Sequence, residues 1–197
     1  ALDKAQIIVC LDADLWGDHP ASIRLARQFA EGRDVGAAAD PKSSRMNRLY
    51  VVESHYSITG AAADHRLAVR SADIAAIVAD LERRVRAMLD AGKVEGPKPD
   101  GTRRERILQA MAADLFEHRG AGVVAAGPRQ PAAVHAQVHR LNALLENAGK
   151  TVTYTEEPAA AYAATCGELA DLVKRIQGGK VKTLLLLGGN PVYDAPA

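Results

Sequence analysis

The sequence predicts a doubly wound α/β fold, with helices on both faces of a mostly parallel sheet. Short apolar runs alternate with longer amphipathic stretches along the chain, which is the pattern of repeated strand and helix units. The chain has 197 residues, of which 48% are apolar, and this is enough for one well-buried core. We therefore expect a single α/β domain over 1–197.

The first half of the chain supplies three extended segments and two helices. We expect strands at 7–11 and 49–52, because each is a short apolar run bounded by polar or turn residues, and a third short extended segment at 65–69. Asp18 and Pro20 are residues that cap and open a helix, which would turn Ile23 and Phe29 inward. Ser71 is expected to cap a long amphipathic helix that follows the third strand.

The second half continues the alternation after a connection at 92–101, which is rich in glycine, proline and charge and which we interpret as internal to the domain. Thr102 with Glu105, and Thr165 with Glu168, form capping-box patterns that predict two helix starts. A third helix is expected after Pro131. Strands are expected at 123–126, 151–154 and 183–187, the last one running into Gly188.

Composition excludes several classes of function. The chain has 25 basic and 24 acidic residues and only 4% aromatic residues, so it offers neither a phosphate-tracking face nor a base-stacking platform, and we expect no nucleic-acid partner. No apolar run approaches the roughly 20 residues of a membrane span, so direct insertion into a membrane is not expected. Cys10 and Cys166 form no C-x-x-C pair, which argues against a metal cluster on this chain.

Polar and glycine residues follow the predicted strands and form the candidate site. The carboxyl ends of parallel strands lie along one edge of a sheet, where open α/β folds bind ligands. One interpretation is a nucleotide-like ligand across this edge, with Glu53 accepting hydrogen bonds from a ribose or guanine. The other is that these residues are solvated caps and turns. The candidate residues are Asp12, Asp14, Glu53, His55, Gly127, Gly188, Gly189 and Asn190.

Three better-known kinds of site are disfavoured by the sequence. A dinucleotide fingerprint needs glycines after the first strand, but Asp12 and Asp14 stand there, and two carboxylates repel a phosphate. His135 and His139 have metal-ligand spacing, yet neither a third ligand nor the glutamate of a zinc protease accompanies them. No G-x-S-x-G nucleophile elbow is present, so we expect no catalytic residue in this chain.

A family resemblance emerges from several segments taken in order. They are 46–54, 63–67, 123–127, 179–182 and 189–196. Together they resemble the α/β core of the molybdopterin oxidoreductases, the superfamily of dimethyl sulfoxide reductase and formate dehydrogenase. Within it, they look most like the molybdopterin-like iron–sulfur subunit of alternative complex III, a bacterial quinol-oxidising membrane complex. The resemblance covers nearly the whole chain and implies that the chain is a fragment of a larger multidomain protein.

The resemblance also carries a departure from the family pattern. Catalytic members place Gly-x-Asn-Pro after the first strand and Asp-Pro-Arg after the second, where they contact the guanosine diphosphate arms of the cofactor. Here Asp12 and Glu53 begin the matching segments, and the glycine and the arginine are missing. The resemblance therefore implies a vestigial cofactor edge in a scaffolding domain, with no cofactor in this fragment. The alternative is a molybdopterin guanine dinucleotide-binding domain of a catalytic molybdenum oxidoreductase.

The surroundings of the fragment follow from the same resemblance. Iron–sulfur clusters are expected elsewhere in the full-length protein. Its partners are expected to be other domains of the same chain and subunits of a membrane-associated respiratory complex on the periplasmic side.

Overall fold

A computed structural model of the chain describes residues 2–34, 36, 46–94, 101–154 and 166–194. The chain divides into two compact units, Ala1–Tyr154 and Thr155–Ala197, which are described separately. The single domain expected from the sequence stays a prediction. The connection at 95–100 and the cap at Thr165 lie outside the described residues.

The first unit contains a four-stranded parallel sheet. Its strands are β1 (Ile7–Leu11), β2 (Arg48–Glu53), β3 (His65–Ala68) and β4 (Gly122–Ala126), in the spatial order β3-β2-β1-β4. All three strand pairings are parallel, with Val9 of β1 opposite Tyr50 on one side and Val124 on the other. The chain therefore reverses its direction of winding between β1 and β4, the point at which doubly wound folds open a crevice.

Helices cover both faces of this sheet. They are α1 (Ser22–Glu31), α2 (Ile58–Ala61), α3 (Ile74–Ala91), α4 (Arg103–Glu117) and α5 (Ala132–Leu144). Because successive residues of a strand point to opposite faces, Val9 and Leu11 pack with α3, α4 and α5, while Ile8 and Cys10 pack with α1. The predicted doubly wound, Rossmann-like α/β fold is confirmed.

The helix starts agree only in part with the sequence signals. Thr102 caps α4 as predicted, since its hydroxyl accepts the Glu105 amide at 3.2 Å. Asp18 does not cap α1, which begins four residues later, and Ile23 is 87% exposed rather than inward. Ser71 does not cap the long helix either, because its hydroxyl donates to the Asp12 carboxylate. Tertiary hydrogen bonds have overridden the local pattern at Ser71.

Side-chain amides, instead of a further strand, occupy the outer edge of β4. Asn142, which is 2% exposed, accepts the Val124 amide at 3.1 Å and donates to the Val124 carbonyl at 2.8 Å. Asn147 accepts the Gly122 amide at 3.1 Å, and the Thr151 hydroxyl donates to the Gly122 carbonyl. The predicted strand at 151–154 is therefore wrong: this part of the chain forms only an isolated bridge at Val152.

The described part of the second unit has two helices, which are joined by turns, bends and irregular backbone at 178–190. It contains α6 (Cys166–Gln177) and α7 (Pro191–Asp194). The predicted strand at 183–187 is also wrong, since these residues form no ladder and Leu185 and Leu187 are 77% and 82% exposed. A leucine run alone does not select a strand, because a strand needs a partner for its backbone groups. None of the described helices combines the length and the apolar character that crossing a bilayer requires.

Candidate functional site

Asp12 ties together the loops that follow β1, β2, β3 and β4. One carboxylate oxygen accepts the Ser54 amide at 2.8 Å and the Ser54 hydroxyl at 3.0 Å. The other oxygen accepts hydrogen bonds from the Ser71 hydroxyl at 2.8 Å and from the side-chain amide of Gln130 at 2.9 Å. Burial alone would raise the pKa of Asp12, but these hydrogen bonds outweigh it and hold the pKa below its usual range. Asp12 is therefore an anion at neutral pH.

The backbone at Asp12 is itself unusual. Its φ is +53°, in the left-handed region that residues other than glycine rarely adopt. Aspartate tolerates this conformation better than most residues, because its short polar side chain bonds locally. The chain thus turns sharply at the end of β1 and points the carboxylate towards the neighbouring loops.

Asp14 makes a second set of contacts two residues later. Its Oδ1 accepts the hydroxyl of Thr59 at 2.6 Å and the backbone amides of Thr59, Gly17 and Trp16 at 3.0 to 3.3 Å. Burial again opposes these bonds, yet they lower the pKa of Asp14. Backbone amides that converge on one point are what an anionic ligand needs. Here they converge on the protein's own carboxylate.

Glu53 and His55 have different environments. The Glu53 carboxylate is 1% exposed and accepts the Ser57 hydroxyl and the Arg66 guanidinium, both at 2.5 Å. It anchors α2 and β3 and faces the interior, so it is not presented to a ribose or guanine. His55 is exposed, and its carbonyl oxygen accepts the Arg66 guanidinium at 3.4 Å.

Gly127 allows the ends of β1 and β4 to approach closely. A Cβ atom at this position would overlap the carbonyl oxygen of Asp12. The Gly127 amide also donates to the carbonyl oxygen of Leu11 at 2.9 Å, and this hydrogen bond extends the pairing of β1 and β4. The structure therefore gives Gly127 a steric role in forming the crevice.

A cavity of about 560 Å³ lies at the crevice between the carboxyl ends of β1 and β4. Its walls are mainly apolar and include Leu15, Val124 and Val138, while Asp14 and His135 are among its polar residues. The cavity has the size and the location of a small-molecule site in a doubly wound fold. Its charged groups are mostly acidic, because Asp14 and Asp18 line it.

The remaining candidates, Gly188, Gly189 and Asn190, belong to the second unit. They follow no strand, because 183–187 is not extended into a ladder. The prediction that they share an edge with Asp12 and Glu53 rested on that strand. Among the described residues, no group of three or more histidine, cysteine or acidic side chains is arranged to hold a metal ion.

Four residues of the site were missed by the sequence analysis. They are Ser54, Thr59, Ser71 and Gln130, and each donates to Asp12 or Asp14. Gln130 is 118 positions from Asp12, so no local pattern connects them. The available signal was the placement of each residue just after a predicted strand or at the start of a helix.

No protein-family model matches the chain, and no curated protein matches it either. The function is therefore inferred from the chain's own residues.

Proposed function

We propose that this chain is the α/β domain of a molybdopterin-oxidoreductase-like iron–sulfur subunit in a quinol-oxidising respiratory complex. In this proposal the domain is a scaffold, with no catalytic residue and no molybdopterin of its own. The iron–sulfur clusters and the electron-transfer path lie elsewhere in the larger protein. The family assignment comes from the ordered sequence motifs, and the scaffolding role comes from the carboxylates at the sheet edge.

The observation that supports this proposal most strongly is that Asp12 and Asp14 accept hydrogen bonds from several backbone and side-chain donors at the carboxyl edge. In a nucleotide-binding domain of this fold, backbone amides after the strands and at nearby helix starts bind the phosphates. Here the amides of Ser54, Thr59 and Gly17 donate to the two carboxylates instead. The fixed negative charges replace the charge that a bound ligand would bring.

The edge consequently does not fit the diphosphate of a guanine dinucleotide cofactor. A diphosphate would have to displace Asp12 or Asp14 from its donors, and the displaced carboxylate would remain a few ångströms away and repel it. Arg129 lies 4.0 Å from the Asp18 carboxylate at the rim of the crevice, and this carboxylate offsets part of its charge. The Asp12 network links the loops after all four strands.

The alternative function is a molybdopterin guanine dinucleotide-binding domain of a catalytic oxidoreductase. One observation favours it, namely the cavity of about 560 Å³ at the switch point between β1 and β4. That cavity is mainly apolar, and its polar lining combines two carboxylates with three imidazoles and Asn142 but includes no lysine or arginine, so it has the volume for a cofactor without a strongly basic phosphate site. We therefore place the scaffold first.

Metal and pterin analysis of the full-length subunit distinguishes the two functions. We expect iron but no stoichiometric molybdenum or tungsten, and no pterin fluorescence after oxidative release. A catalytic molybdopterin oxidoreductase prepared in the same way serves as the positive control. Stoichiometric molybdenum or tungsten together with pterin would overturn the scaffold proposal and establish the alternative.

A further inference from the structure

The first turn of α4 carries three arginines with exposed side chains. Arg103, Arg104 and Arg106 form no salt bridge with any carboxylate in the described part of the chain, and the only acidic residue of that turn, Glu105, pairs with Arg84 at 2.6 Å. The amino terminus of a helix carries a partial positive charge, so acidic residues are favoured there and cations are disfavoured. The helix therefore holds three cations where its own dipole opposes them.

A further arginine, Arg70, follows β3 and acts on the same carboxylate as Arg104. Arg103 donates to the carbonyl oxygen of Arg66 at 3.3 Å. Arg70 pairs with Asp73 at 3.0 Å, and the charge of Arg104 acts on the same carboxylate. We call Arg70, Arg103, Arg104 and Arg106 the arginine patch. Asp73, which pairs with Arg70, leaves three positive charges uncompensated among the described residues.

A cavity opens within the arginine patch. It has a volume of about 300 Å³ and is lined by Arg103, Arg106, Tyr50 and His65, among others. The Tyr50 and His65 rings stack with centroids 4.8 Å apart and form a flat wall. Asp64, the acidic residue of the lining, is occupied by a two-pronged ion pair with Arg33. The cavity has room for one side chain, and Arg103 and Arg106 are among the residues that line it.

We propose that the arginine patch docks an acidic protein segment, one carboxylate of which enters this cavity. Planar guanidinium groups bind carboxylates with paired hydrogen bonds, and arginine is enriched at protein interfaces. A protein fits better than a nucleic acid, because three free cations are few for a polyanion and the chain as a whole has a net charge of only +1. This docking surface is independent of the proposed scaffold function.

Binding of a fluorescein-labelled hexaglutamate peptide to the 197-residue chain tests the proposal by fluorescence anisotropy. We expect saturable binding at low ionic strength that weakens as added salt shortens the screening length. The triple variant Arg103→Gln, Arg104→Gln, Arg106→Gln lacks the three exposed ion pairs with the peptide, and it should bind the peptide about tenfold more weakly. The change is confined to exposed side chains, and far-UV circular dichroism confirms that the variant is folded.

A control variant removes the same charge from scattered exposed positions. Lys4→Gln, Arg24→Gln and Arg119→Gln lie outside the arginine patch, and the triple variant should bind the peptide as the parent does. The proposal fails if the parent does not bind, or if the control loses as much affinity as the patch variant. It also fails if a six-nucleotide single-stranded DNA displaces the peptide at lower concentration, because the surface would then prefer nucleic acid.

Discussion

Replacing Asp12 with asparagine perturbs the network at the carboxyl edge with the smallest change in shape. Asparagine tolerates the left-handed backbone that Asp12 adopts, at a φ of +53°, so the turn after β1 is retained. Its Oδ1 still accepts the Ser54 amide. The Nδ2 group, however, is a donor and faces the Ser71 hydroxyl and the Gln130 amide, which both donate to the carboxylate in the parent.

The expected loss follows from these contacts. A hydrogen bond to a charged group contributes about 1.5–3 kcal/mol to stability, and a half-exposed site lies at the lower end of that range. The serine hydroxyl can rotate to accept, whereas the glutamine amide must turn over or lose its partner. We therefore expect Asp12→Asn to lower the free energy of unfolding by about 2 kcal/mol at neutral pH.

Urea denaturation at several pH values measures this loss and its origin. Folding lowers the pKa of Asp12 below its value in the unfolded chain, which is about 3.9. The stability that the ionised carboxylate contributes is therefore fully present above that pH and is lost as the pH falls through the pKa of the folded state. The difference between parent and variant should thus shrink below about pH 4. Asp3→Asn, which removes an exposed carboxylate, is the control and should change stability little. Equal stability of parent and Asp12→Asn at neutral pH, or a difference that persists in acid, would refute this explanation.

Three further predictions concern the strands around the crevice. Gly127→Ala places a methyl group on the carbonyl oxygen of Asp12 and should cost at least ~2 kcal/mol in urea denaturation, whereas Gly189→Ala, with open space around it, should be neutral. Asn142→Asp removes the donor to the Val124 carbonyl and buries a charge, so thermal unfolding should show that stability falls by at least ~2 kcal/mol. An unchanged melting temperature would contradict the role of Asn142 at the edge of β4. Cys10 is fully buried, and burial raises the pKa of its thiol. Mass spectrometry should therefore detect alkylation of Cys10 only in denaturant.

The sheet of the first unit was largely predictable from the sequence. The strands β1, β2 and β4 coincide with apolar runs, because strands covered on both faces contain little else, whereas the edge strand β3 contains His65 and Arg66 and is largely exposed. The β1 strand has the predicted bounds, β3 and β4 differ from the predicted ones by one residue at one end, and β2 is longer by one residue at each end. The capping box at Thr102 also predicted the correct start of α4.

The two strand predictions that failed share a physical cause. The segments 151–154 and 183–187 have apolar or β-branched residues, but the ladder that a strand requires depends on the rest of the fold. At the outer edge of β4, Asn142 and Asn147 already satisfy the backbone groups of Val124 and Gly122. No local pattern shows that an amide side chain will take the place of a strand.

The candidate site was predicted in part. The sequence singled out Asp12, Asp14 and Glu53, and the structure places Asp12 and Asp14 directly after β1 at the carboxyl edge of the sheet. The sequence did not indicate that these carboxylates would accept hydrogen bonds from several loops, since donors such as Ser71 and Gln130 are distant in sequence. The interior position of Glu53 was likewise invisible, because it depends on the guanidinium of Arg66.

The central claim is that the carboxyl edge of the sheet binds its own carboxylates in place of a nucleotide. Isothermal titration calorimetry of the chain with GDP, a guanine nucleotide that carries a diphosphate, tests it most directly. The network of Asp12 and Asp14 predicts no heat beyond dilution. Stoichiometric binding of GDP that is abolished by filling the crevice with Gly127→Ala, in a variant shown to be folded, would contradict the claim.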